Sequence, residues 1–190
     1  MKNAVALIIA VGVFAVAGCS ATHDAAKPGA KLGSTIGNEL INPPVLLDHL
    51  VGKWVLNGQI DGKQTTHDID AEWVLNREYL RLHEVSRERN AKGGPAYEAI
   101  VLFSWDQRAG QYSCLWLDTT GGGGLSGNGI GRGKPDADSI PFAFKFPDGN
   151  VFHNTFIFDQ KAGSWQWVMD GEEGGKLQPF ARVTLTKKIG

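Results

Sequence analysis

Residues 64–73 read QTTHDIDAEW, and what matters in them is the alternation. His67, Ile69, Ala71 and Trp73 fall on one side of an extended chain, with Thr66, Asp68, Asp70 and Glu72 on the other. A period of two sends successive side chains to opposite faces of a strand, so this segment has one dry face and one wet face. WVLNGQI (54–60) groups Trp54, Leu56, Gly58 and Ile60 in the same way, and SIPFAFKF (139–146) groups Ile140, Phe142, Phe144 and Phe146. Weaker extended runs follow in YLRLHEV (79–85), AYEAIVLFSW (96–105), QYSCLWLD (111–118), NVFHNTFIF (150–158), SWQWVM (164–169) and FARVTLT (180–186). Helix is confined to VLLDHLVG (45–52), a turn or two with Val45, Leu46, Leu50 and Val51 on its apolar side.

The connections predict antiparallel neighbours. Asp61-Gly62 and Asp148-Gly149 are hairpin signals, because both residue types tolerate the positive φ of tight turns. FSWDQRAGQY (103–112) and FIFDQKAGSW (156–165) share an Asp-Gln-basic-Ala-Gly loop, in which Asp accepts from backbone amides and glycine supplies left-handed φ. Successive hairpins in this number must hide their edges, and closing the meander on itself does so. The expected fold is therefore all-β, an antiparallel up-and-down barrel of about 8–10 strands behind a short helical turn, spanning residues 45–190.

GGGGLSGNGIGRG (121–133) holds eight of the chain's 25 glycines and invites a phosphate-cradle reading. Gly122, Gly124 and Gly127 satisfy G-x-G-x-x-G, but no helix follows to aim its amides at an anion, and Pro135 stops the segment. Gly133-Lys134 lacks the Ser or Thr of a Walker loop. Gly127, Gly129, Gly131 and Gly133 instead recur with period two, predicting a glycine-striped strand near a barrel rim, entered through a loop.

Composition and the N-terminus bound the rest. A net charge of −1 with mixed signs leaves no basic stripe for nucleic acid. Residues 1–18 carry Lys2 and an apolar run shorter than a membrane span, as in a signal peptide. Residues 19–44 are small and polar and read as a flexible tether. Val16-Ala17-Gly18-Cys19 resembles the lipobox of bacterial lipoproteins. That resemblance implies diacylglycerol on Cys19 and a membrane as partner. Ser20, where an aspartate would retain the protein at the inner membrane, implies the periplasmic face of the outer membrane. The second cysteine, Cys114, has no internal partner and reads as buried apolar filler.

Gly52-Lys53-Trp54, opening the first strand after a helical turn, resembles the G-x-W of lipocalins and the wider calycin group. The resemblance implies a calycin-like barrel whose tryptophan closes one end, with an Arg or Lys from the last strand packed across it; Arg182 is the residue chosen for that part. WDQRAGQYSCLWLD and the terminal ARVTLTKK are also similar to a family of uncharacterised bacterial proteins expected to form such barrels.

No chemistry is written plainly. Asp68, Asp70 and Glu72 share a face but read as the solvated side of a strand. Ser104, Ser113, Ser126 and Ser164 lack a nucleophile-elbow context, and no zinc or covalent-haem spacing occurs. Glu172 and Glu173 read as a hairpin loop. His67 and His153 are the histidines able to touch a ligand or, as the one cofactor alternative, haem; the expectation is no cofactor. The functional expectation is a non-catalytic container for a small, largely apolar ligand, walled by Trp54, Trp73, Phe142, Phe144 and Trp167 and anchored by His67. Its rivals are a lipid-directed enzyme, which would need His67 with Arg81 or His83 converging inside, and a structural lipoprotein whose lumen is filled.

Overall fold

The computed structural model describes residues 45–121 and 125–188; the signal segment, the tether, Cys19 and positions 122–124 lie outside the described residues. A 3-10 helix, Val45–Leu50, precedes ten strands: β1 Gly52–Ile60, β2 Lys63–Val74, β3 Tyr79–Ser86, β4 Glu98–Asp106, β5 Gln111–Asp118, β6 Ile130–Gly133, β7 Ser139–Lys145, β8 Val151–Asp159, β9 Ser164–Glu173 and β10 Lys176–Lys187. Each strand pairs antiparallel with the next, and β10 returns to β1, closing the barrel. This is the all-β, up-and-down, calycin-like architecture expected from the alternation.

The turns form as their residues dictate. Asp61 and Gly62 take φ of 49° and 70° between β1 and β2. In the twin loops, Asp106 Oδ1 accepts from the amides of Arg108 and Ala109, and Asp159 Oδ1 from those of Lys161 and Ala162. Gly110 and Gly163 close the two loops at φ 58° and 59°. The Glu172 and Glu173 reading is corrected: both belong to β9, because Gly174 and Gly175 (φ 58° and 77°) make the turn unaided.

The glycine stripe is half strand and half turn. Gly131 and Gly133 face inward opposite Cys114 and Tyr112. A Cβ on Gly131 would lie 2.7 Å from the Phe144 ring, and one on Gly133 2.1 Å from the Pro141 carbonyl oxygen. Gly127–Gly129 instead form a 3-10 turn, with the Gly129 amide bonded to Ser126 O, and a Cβ on Gly129 would lie 3.1 Å from the Trp116 carbonyl oxygen. The close approach is to the barrel's own backbone and ring.

The 3-10 helix lies across one end, hereafter the capped end. Its Leu47 and Leu50 are buried. Trp54 Nε1 donates to Leu50 O (2.7 Å), Trp165 Nε1 to His49 O (3.4 Å) and Trp73 Nε1 to Asp48 Oδ1 (2.7 Å). Beneath it the lumen is occupied by Phe103, Phe142, Phe156, Trp165 and Trp167, with Phe156 stacked on Trp167 at 4.5 Å and edge-on to Phe103 at 5.5 Å. Each such ring pair adds about 0.5–1.5 kcal/mol beyond its area burial.

Candidate functional site at the open end

At the opposite end, the first residues of β2, the last of β3, Tyr97 just before β4 and the last of β5 bring inward-facing polar side chains together. Strand parity decides which. Thr65 and His67 share the dry face of β2 with Ile69, and Glu84 shares that of β3 with Leu80 and Leu82. His67 is opposite Ser86 and Ile69 opposite Glu84, so His67 and Glu84 are diagonal neighbours within side-chain reach. His67 Nδ1 and Glu84 Oε1 form a close hydrogen bond, with His67 only 4% and Glu84 1% exposed. A carboxylate can only accept, so the His67 ring donates from Nδ1. In the neutral ring Nε2 then carries the lone pair, and the Thr65 hydroxyl donates to it at 2.8 Å. The other oxygen of Glu84, Oε2, is buried with no hydrogen-bond partner among the described residues.

Aromatic and acidic groups complete this wall. Tyr97 stacks on His67 with centroids 5.7 Å apart. Trp116 Nε1 donates to Asp118 Oδ2 (3.1 Å) and to Tyr97 Oη (3.2 Å). Burial, and then the charges of Glu84 and Asp118, push the Tyr97 phenol well above its ordinary pKa, so it stays a neutral donor. The facing rim, from β1 and β7–β10, is apolar: Ile60, Phe146 and Phe152 pack on the core edge, and Phe180 meets Phe152 at 5.5 Å.

An open depression of about 360 Å³ adjoins the polar wall, lined by Gln64, Thr65, Thr66, Arg87 and Glu88. Arg87 is fixed beside it by a two-pronged bond to Asp68, Nε to Oδ2 at 2.9 Å and Nη2 to Oδ1 at 2.8 Å. That hydrogen bond from Arg87 is the main reason the Asp68 carboxyl titrates down at about 2. A second, smaller groove of about 210 Å³ runs along the outer wall past Lys53, Asp70, His83 and Lys188.

The residues expected to wall a ligand do not converge. Trp54 and Trp73 are engaged by the capping helix, Phe142 and Trp167 lie in the packed lumen, and Phe144 lies against Gly131. His67 alone reaches the open-end cluster. Arg182 is corrected: it faces outward, bonded to Asp170 and to the carbonyls of Met169 and Ala181, because its parity is opposite to that of buried Val183 and Leu185. Lys187, on the inward parity, packs over Trp54 with Nζ 5.1 Å from the ring centroid. Arg81 and His83, required inside by the enzyme rival, face outward onto Glu72 and Glu98. His153 likewise faces outward onto Glu172, which removes it as a lumen ligand. Cys114 is buried and its thiol pKa raised, as suits filler. Sequence reading missed Glu84, Thr65, Tyr97 and Asp118; the parity of Leu80, Leu82 and Glu84 was the available signal for the first.

The sequence matches no family model and no curated protein. Among solved structures it is similar to the crystal structure of Rv2717c from M. tuberculosis, with a TM-score of 0.51 and 14% identity over 77% of this chain and 99% of that one. The two chains share a fold. At that identity the likeness carries nothing about ligands.

Proposed function

We propose that this chain is an envelope lipoprotein, held through acylated Cys19 at the periplasmic face of the outer membrane, whose barrel binds a small, largely apolar molecule by its polar head at the open end. The binding half rests on one observation: buried His67 and Glu84, with one Glu84 oxygen unmatched, stand beside an open depression and face an apolar rim. A buried acceptor without a donor costs about 1–3 kcal/mol, which a ligand head group offering an N–H or O–H offsets. The other end is filled and capped, so entry is from this side. The anchor half rests on the lipobox-like VAGC and the short apolar run before it.

Two measurements test the reading. Radiolabelled palmitate should enter the wild-type chain and not the Cys19→Ser variant. Native mass spectrometry of the secreted Cys19→Ser protein should retain a small organic molecule that is lost in His67→Phe. Equal labelling of the two chains removes the anchor, and a ligand-free wild-type spectrum after extraction from its own cells removes the binder.

A further inference from the structure

We infer that Glu84, His67 and Thr65 form a proton relay that hydrolyses small carboxylic esters at the open end, with Thr65 Oγ1 as the nucleophile. This rests on the proposal that the open end admits a small molecule, and adds a reaction to it. Two features carry it. The order acid, imidazole and hydroxyl is complete: Glu84 Oε1 holds Nδ1, and Nε2 faces the Thr65 hydroxyl at 2.8 Å. That distance lies within the range in which a base takes a proton. The two groups that should be sheltered, Glu84 and His67, are buried, while Thr65, at the outer end of the chain of hydrogen bonds, is only half-buried and is among the residues bordering the depression.

The chemistry balances with ester and water alone. His67 Nε2 takes the Thr65 proton as Oγ1 bonds the ester carbonyl carbon, and the carbonyl oxygen becomes an oxyanion. The C–O bond to the alcohol then breaks, and the departing oxygen takes the proton from Nε2, leaving acyl-Thr65. Water adds to that acyl carbon while Nε2 takes its proton. The bond to Oγ1 then breaks, Oγ1 recovers the proton, and a carboxylic acid leaves. Glu84 touches no reacting atom; it is a positioning residue that fixes the ring tautomer and balances the imidazolium charge in each step. Its unmatched oxygen suits that task, because a buried carboxylate short of partners gains most when positive charge forms beside it.

The test is turnover of p-nitrophenyl acetate by the full chain in detergent, beside binding of its slowly cleaved amide analogue followed by tryptophan fluorescence. Wild type should show a burst and carry one acetyl group on the peptide containing Thr65. Thr65→Val, nearly isosteric at a half-buried position, should bind the amide as wild type does and lose turnover by roughly 10²-fold or more, whereas Thr65→Ser keeps it. Glu84→Gln should lower kcat by a larger factor than it raises KM. Turnover surviving in Thr65→Val, or no acetylated Thr65 peptide, overturns the relay. If the amide binds and no ester is cleaved, the relay falls and the binding proposal stands; if neither occurs, both fall.

Discussion

A methyl group added at position 133 would sit 2.1 Å from the carbonyl oxygen of Pro141, a backbone atom with little freedom to retreat. At position 131 it would meet the outer edge of the Phe144 ring, which can turn aside, and at position 127 it would meet nothing within 4 Å. Urea unfolding should therefore rank the alanine variants: Gly133→Ala costing about 3 kcal/mol, Gly131→Ala about 1 kcal/mol, and Gly127→Ala under about 0.5 kcal/mol. Equal costs at 133 and 127 would refute this account of the stripe. The exchange of Arg182 for Lys187 over Trp54 gives a second prediction. A double-mutant cycle between Trp54→Leu and Lys187→Ala should return about 0.5–1 kcal/mol of coupling, and the cycle with Arg182→Ala close to none. Parity in ARVTLTK already separates the two, since Ala181, Val183, Leu185 and Lys187 share one face. A motif partner has to be chosen by face as well as by charge.

Among elements, the twin loops are the most legible. The same five residue types, Asp-Gln-basic-Ala-Gly, fold to the same pattern of two amides on one carboxylate oxygen and a left-handed glycine, 53 residues apart in sequence. Asp106→Ala and Asp159→Ala should each cost about 1 kcal/mol and add within about 0.5 kcal/mol in the double variant, since the loops share no partner. A strongly non-additive double would show that the loops communicate. The β2–β3 turn was not legible. Leu75, Asn76 and Arg77 take φ of 49°, 57° and 68° without a glycine. That turn is held from outside itself, by Arg77 bonded to Asp48 of the capping helix (2.8 Å) and seated over Trp73 at 5.1 Å. Local propensity cannot anticipate a turn whose stabilising partner lies 29 residues away.

In the whole molecule, the closed sheet has one thin seam. β6 and β7 meet in register only at Arg132 and Ala143, whereas β8 and β9 pair over nine positions from Val151 to Asp159. Pro141 brings no N–H to the ladder, and β6 is four residues long. Native-state hydrogen exchange should open this seam first, with the amides of 130–133 and 142–144 exchanging well before those of β8 and β9. Uniform protection around the barrel would contradict it. The seam lies on the other side of the barrel from His67 and Glu84, so its opening would leave the relay intact.

Alternation, turn residues and the composition of QTTHDIDAEW and its neighbours determined by themselves that this chain is a closed antiparallel barrel with inward hydrophobes and outward acids. Those properties are local: a strand face follows from a period of two, and a hairpin from a residue able to take positive φ. Only the tertiary structure decided that His67 meets Glu84 across the β2–β3 register, that Trp54 and Trp73 are engaged by the capping helix, and that the expected ligand walls are spent on packing. Those pairings depend on the register between strands and on which end the 3-10 helix covers, and neither is encoded in the face that a single residue chooses.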